Sequence, residues 1–137
     1  LDGRSMLDVG TGSGVLAIAA ARLGAHPVGG LDIDADACVA AARNVDRNGL
    51  SGRVSISRMA LGEAHAAADV VCANLTADVL SAESDALGRL VNPGGTLVVS
   101  GVMLHQVPYV REAFSRWTLV GDDREDDWAA LTFARGS

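Results

Sequence analysis

The chain contains no lysine: its eleven basic residues are all arginine, set against seventeen Asp and Glu, for a net charge of −6. Missing lysine excludes no activity, because biased codon usage accounts for it together with the abundant Ala, Gly and Asp. An acidic balance without clustered basic residues does argue against a direct nucleic-acid partner, since phosphate contacts need such clusters. Cysteine is scarce too. Cys38 and Cys72 form no CxxC pair and each sits inside an apolar segment, as buried free thiols do in a reducing compartment. His26, His65 and His105 stand singly, so no metal site is expected. No apolar run reaches the length of a membrane span. Asp2 and Arg4 fall where a signal peptide would need its apolar core. The expected location is cytoplasmic, with no membrane partner. The chain also lacks an initiator Met and begins within a few residues of its first strand-like run. Residues 1–137 are therefore expected to be a single domain belonging to a longer protein.

What is present is apolar and alternating. At 49% hydrophobic residues and a mean hydropathy of +0.24, the chain can bury a real core. "SMLDVG" reads as a buried parallel strand ending at glycine. Leu16, Ala19, Ala20 and Leu23 then recur at helical spacing, with Gly24 as the cap. "PVGGLDID" is a second strand, and Asp34 caps a helix whose apolar face is Cys38, Ala41, Ala42 and Val45. "RVSISRM" and "ADVVCANL" are the third and fourth strands. Residues 77–91 read as one helix stopped by "NPGG", "TLVVSGVM" as a fifth strand, and 104–115 as a helix. The ending, "WTLVGDDREDDWAALTFAR", holds two strand-like runs around a short acidic turn, which predicts an edge hairpin. Five β-α alternations and a hairpin predict an α/β fold. Its sheet should be doubly wound and Rossmann-like, mostly parallel with a C-terminal antiparallel hairpin. Such sheets bind ligands beyond the carboxyl ends of their strands, where strand order reverses.

The first strand ends in "DVGTGSG", with Gly10, Gly12 and Gly14 two apart. Glycines let the backbone turn sharply and approach a ligand without a Cβ between them. The dinucleotide fingerprint is GxGxxG; here the pattern is GxGxG, and Val15 stands where the last glycine should be. Asp8 precedes the turn. A carboxylate there repels a pyrophosphate and suits a ligand that carries an ammonium group, such as S-adenosylmethionine. Asp8, Gly10, Thr11, Gly12 and Gly14 are the candidate cofactor residues of this turn. Asp32, twenty residues after Gly12, can accept hydrogen bonds from both ribose hydroxyls in nucleosides of either kind. Asn74 tips the fourth strand in "CANLTADVL". One reading makes it the cap of the helix starting near Ala77. The other places its amide in the cleft, where it can aim the lone pair of an incoming amine along the bond being broken. His105, after the fifth strand, is the only histidine near enough to that cleft to be considered.

In order and spacing, "DVGTGSGVLAIAAARLGA", "GLDIDADACVAAARNVDRNG", "DVVCANLTADVL", "GGTLVVSGVM" and "DDWAALT" resemble the bacterial ribosomal protein methyltransferase family PrmA, from Ser5 to Phe133. The resemblance implies a class I methyltransferase fold and S-adenosylmethionine as cofactor. It also implies methylation of lysine side chains and the N-terminal amine of a large-subunit ribosomal protein, which would be the partner. Carried over, it puts Gly10 on the cofactor, Asp32 on its ribose, Asn74 near its methyl and methionine portion, Ile33 on the adenine and the backbone near Ala60 at the adenine edge. "ANLT" is similar to the "NPPY" loop of amine methyltransferases, which makes Asn74 and Leu75 the catalytic candidates. "MALG" at 59–62 lacks the acidic group that many such enzymes offer to the adenine amine. The family's N-terminal recruiting domain, and a segment before the first strand, have no counterpart in the sequence. One sheet face is accordingly expected to stand uncovered. Methylation of a small amine or a glutamine amide, a nicotinamide-dependent oxidoreductase and a cofactor-binding remnant without turnover are the competing functions.

Overall fold

The computed structural model describes residues 1–136, so Ser137, the last residue of the expected domain, lies outside the described residues. The strands are β1 (Met6–Val9), β2 (Val28–Asp32), β3 (Val54–Arg58), β4 (Ala68–Asn74), β5 (Val91–Met103), β6 (Thr118–Glu125) and β7 (Trp128–Ala134). The helices are α1 (Val15–Arg22), α2 (Ala35–Arg47), α3 (Ala77–Ala82), α4 (Ser84–Arg89) and α5 (Val107–Ala113). All seven strands form one sheet in the order β3-β2-β1-β4-β5-β7-β6. The first five strands run parallel, and β7 joins β5 antiparallel with β6 on its outer edge. The doubly wound sheet with its terminal hairpin is thus as expected. Strand order reverses between β1 and β4.

Three local features differ from the sequence reading. The link between β3 and β4 carries only a 3-10 turn at Leu61–Glu63, so helices follow four of the first five strands rather than all of them. The helix expected over 77–91 breaks at Glu83, whose φ of −104° and ψ of 15° leave helical geometry. Ser84 and Asp85, residues that favour helix starts, reopen it as α4. "NPGG" does not stop a helix but bulges out within β5: Val91 pairs with Ala68 and pairing resumes at Thr96 with Val70.

The sheet divides two cores. On one side α3, α4 and α5 pack on β5, and Leu80, Leu87, Leu90, Leu97, Leu131, Phe114 and Phe133 are buried among them. On the other, α1 and α2 pack on β1, β2 and β3 over a smaller cluster that includes Ala17, Ala20, Ala21, Val28 and Val45. The buried face of α1 is therefore Ala17, Ala20 and Ala21 rather than the face centred on Leu16 and Leu23, which are 46% and 65% exposed. On this side α1 presents only small side chains as its fully buried residues, with Ile18 packed partly buried beside them. Ala42 of α2 is likewise exposed, while Ala41 and Val45 are buried. Beyond β4 on this second side, Val98, Ala130 and Thr132 remain half-exposed. Both cysteines are free and half-buried. No helix among the described residues is long and apolar enough to cross a membrane.

Candidate active site

The reversal of strand order brings the ends of β1 and β4 side by side. Gly10 leaves β1 with φ +75°, and a Cβ on it would stand 3.1 Å from Leu75 Cδ2 and 3.4 Å from the Asn74 carbonyl oxygen. Glycine is needed there on both counts, conformation and space. Beneath this junction opens a cavity of about 270 Å³ lined by Gly10, Asp32, Ile33, Met59, Ala60, Leu61, Leu75, Val79 and Glu83, with Val9 and Leu31 as its floor. Five of the residues singled out in the sequence meet here: Gly10, Asp32, Ile33, Ala60 and Leu75. Ile33 is 69% exposed, an apolar side chain held at the cavity without a core to join.

Asp32 ties the two loops of the site together. Its Oδ2 accepts the Gly12 N–H at 3.0 Å and its Oδ1 accepts the Asp34 N–H at 3.0 Å. Each oxygen keeps further lone-pair capacity toward the cavity. Asp34 caps α2 by accepting the Asp36 N–H at 3.1 Å, the role its position one step beyond the strand suggested.

Asp8, Thr11, Gly12 and Gly14 do not line the cavity; they build the turn behind it. Gly14 closes the approach of α1 to α2, with Ala41 Cβ 3.2 Å from where its own Cβ would be. Val15, in the place of the missing third glycine, points outward and is 65% exposed. Asp8 is 1% exposed, and the Thr11 hydroxyl donates to its Oδ2 at 2.9 Å. Its Oδ1 is buried with no hydrogen-bond partner. Burial pushes the Asp8 carboxyl up to about 6; the Thr11 hydroxyl pulls the other way, and the charge of Asp32 adds to the rise. At neutral pH a negative charge therefore stands unbalanced beneath the glycine turn. Burial, and secondarily that same charge, holds the Cys72 thiol at about 11, so it stays protonated.

Asn74 does not cap α3. Thr76 does, accepting the Val79 N–H at 3.4 Å. Asn74 is exposed at the tip of β4, where it pairs in register with Ser100 of β5. Its Oδ1 lies 2.6 Å from the position a Cβ on Gly101 would take, so only glycine leaves it room. The alternation of strand side chains puts Leu75 at the cavity and Asn74 outside it. His105 is exposed and does not line the cavity.

Sequence reasoning missed Met59, Leu61, Val79 and Glu83. The last two are four residues apart in the stretch expected to be helical after "ANLT", a spacing that puts them on one face without saying what that face looks on. The backbone near Ala60 is arranged less openly than the resemblance implied. The Ala60 N–H donates to Glu63 Oε1 at 2.9 Å and the Glu63 N–H donates to the Ala60 carbonyl at 3.0 Å, a reciprocal clasp. Among the described residues, no cluster of His, Cys, Asp and Glu could hold a metal ion.

A family model described as ribosomal protein L11 methyltransferase (PrmA) matches residues 1–136. The ribosomal protein L11 methyltransferase of Geobacter sp. (strain M21) is 40% identical over 130 residues, 95% of this chain and 42% of the relative. That of Pelotomaculum thermopropionicum is 42% identical over 132 residues, 94% of this chain and 43% of the relative. The chain thus spans less than half the length of these curated relatives. The crystal structure of a ribosomal protein L11 methylase from Lactobacillus delbrueckii subsp. bulgaricus superposes with a TM-score of 0.93 at 29% identity, covering 100% of this chain and 72% of that one. An RNA methyltransferase from Salinibacter ruber in complex with S-adenosyl-L-homocysteine shares the fold, with a TM-score of 0.80 at 23% identity over 98% of this chain and 82% of that one.

Proposed function

Because the chain belongs to the ribosomal protein L11 methyltransferase family, we propose that it binds S-adenosylmethionine and directs its methyl group to an amine of a large-subunit ribosomal protein. The amine is a lysine side chain or the N-terminus. The chain is the catalytic part of a longer cytoplasmic protein, and the domain that recruits the substrate lies in the rest of that protein. One observation carries the reading: Gly10, Leu75 and Asn74 meet where strand order reverses, so the cavity and the exposed Asn74 amide lie one residue apart.

The residues present suit that cofactor. At about 270 Å³ and with a mostly apolar lining, the cavity suits a purine nucleoside. Asp32 has lone pairs left for ribose hydroxyls, and Ile33 offers an apolar surface to a purine. Asp8 acts through its field rather than by contact, since its uncompensated charge sits behind the turn where a phosphate would be repelled and a cation favoured. Gly12 and Thr11 hold that turn, and Gly14 seats it against α2.

When bound, S-adenosylmethionine supplies a methyl group on a positively charged sulfur. The protein's task is to hold a neutral amine in line with it. Asn74 does this by accepting an amine N–H at its amide oxygen, which turns the nitrogen lone pair toward the cavity mouth. Orientation of this kind supplies about 7–11 kcal/mol in the best cases. A lysine amine with an ordinary pKa near 10.4 costs about 4.6 kcal/mol to neutralise at pH 7. The chain needs no dedicated base for this step, and the proton leaves to water.

The test is methyl transfer from labelled S-adenosylmethionine to purified large-subunit ribosomal proteins, with Asn74→Ala measured beside the unchanged chain. Asn74→Ala should lower turnover about 100-fold while cofactor affinity changes less than about threefold, as expected of a group that orients the acceptor. Equal loss in both quantities would remove its positioning role. Transfer to small amines alone would replace the substrate class, and tight binding of NAD would replace the reaction. Cofactor binding without any transfer would mark the chain as a binding remnant.

A further inference from the structure

We propose that Glu83 selects the base of the cofactor, accepting a hydrogen bond from the 6-amino group of adenine in the cavity that Asp32 also lines. The inference rests on the S-adenosylmethionine reading above and adds a residue that none of the sequence motifs contains. Two acidic residues, Asp32 and Glu83, stand in a cavity lining otherwise made of Val9, Gly10, Leu31, Ile33, Met59, Ala60, Leu61, Leu75 and Val79. Asp32 is engaged by two backbone N–H groups and belongs with the ribose. Among the described residues no hydrogen bond or ion pair involves the Glu83 carboxylate.

The fold explains why a charged side chain stands there. Val79 lies on α3 and Glu83, four residues on, stands just past its end, and both line the cavity. The chain leaves helical geometry at Glu83, between α3 and α4, so this residue ends the helix instead of continuing a buried stripe. In the link between β3 and β4 the Ala60 N–H and carbonyl are closed upon Glu63. A purine entering between Ile33 and Val79 therefore meets a free acceptor on the α3 side. An amino group donates to a carboxylate, whereas a 6-oxo group presents lone pairs to it and is repelled.

Calorimetry with S-adenosylhomocysteine and its 6-oxo counterpart S-inosylhomocysteine tests this directly and needs no turnover. The unchanged chain should bind the amino compound about tenfold more tightly, the discrimination expected of one hydrogen bond to a charged group. Glu83→Gln, an isosteric change, should weaken S-adenosylhomocysteine about five- to tenfold. It should also shrink the preference to within about twofold, because its amide can donate to the oxo group. Glu83→Ala should show the same weakening, with only the smaller gain for the oxo compound that relief of the repulsion brings. Unliganded melting temperatures within a few degrees of the unchanged chain would tie these losses to the ligand. Should Glu83→Gln keep both the affinity and the preference, the assignment of Glu83 fails while the cofactor reading stands. Failure of the unchanged chain to bind either compound would overturn both.

Discussion

On one face of the sheet, leucines and phenylalanines fill the space beneath α3, α4 and α5; on the other, alanines and a few valines separate α1 and α2 from the strands. The first core holds Phe114 and Phe133 with ring centroids 5.2 Å apart, both about 1% exposed. The second is thinner on its α1 side, where the buried residues are Ala17, Ala20 and Ala21. The division suits the site. A thick, well-filled core fixes the tips of β4 and β5, which carry Asn74, Leu75 and Gly101. A thin one lets the glycine turn and the start of α1 press close to the end of β1. The buried charge also lies on the thin side, where Asp8 shares a face with Met6 and Cys72.

The largest effect is expected on the thick face. Phe133→Ala should destabilise the chain by about 3–5 kcal/mol in urea unfolding, because it opens a void in a core with no room to collapse. A loss below about 1 kcal/mol would mean that this core is looser than its packing implies.

An intermediate effect, opposite in sign, belongs to Asp8 on the thin face. Its carboxyl rises from 3.8 to about 6 on folding, so between those values the folded form binds more protons than the unfolded one. Stability at this group therefore falls as pH rises from about 4 to about 6, and stays reduced above. Asp8→Asn should match the unchanged chain near pH 4 and exceed it above pH 6 by up to about 3 kcal/mol, read from melting curves across that range. A difference that does not vary with pH would show that burial does not burden the carboxylate. The same variant should bind S-adenosylmethionine less well, which would make the charge a feature kept for the ligand at the expense of the fold.

The smallest effect is expected where the thin face runs out. Val98→Thr, on a half-exposed side chain of β5, should change stability by less than about 0.5 kcal/mol. A loss above about 1 kcal/mol would mean that something dry covers that position in solution.

Much of this was legible before any coordinates. The apolar runs ending at Gly10, Asp32 and Asn74 marked three strand tips, and the absence of a helix between the last two runs marked the hairpin. Asp34 was separable from Asp32 because capping needs a residue just past the strand. What escaped had physical causes. Alternation alone cannot show that a sheet lies too close for leucine, so Leu16 and Leu23 were assigned to the buried side of α1. Turn-forming residues look the same whether they end a helix or bulge a strand, as "NPGG" does in β5. Glu83 and Val79 are ordinary helix residues by sequence. Only the return of the chain over the end of β1 turns them into a cavity wall.

Asn74 and Leu75 are joined by a single peptide bond, yet one looks outward past Gly101 and the other rests on Gly10. Such a hinge of two neighbours lets the acceptor side be remodelled, through the edge hairpin or the loop before α5, without rewriting the nucleoside pocket. A scaffold divided in this way can trade one recipient molecule for another while its donor chemistry stays untouched.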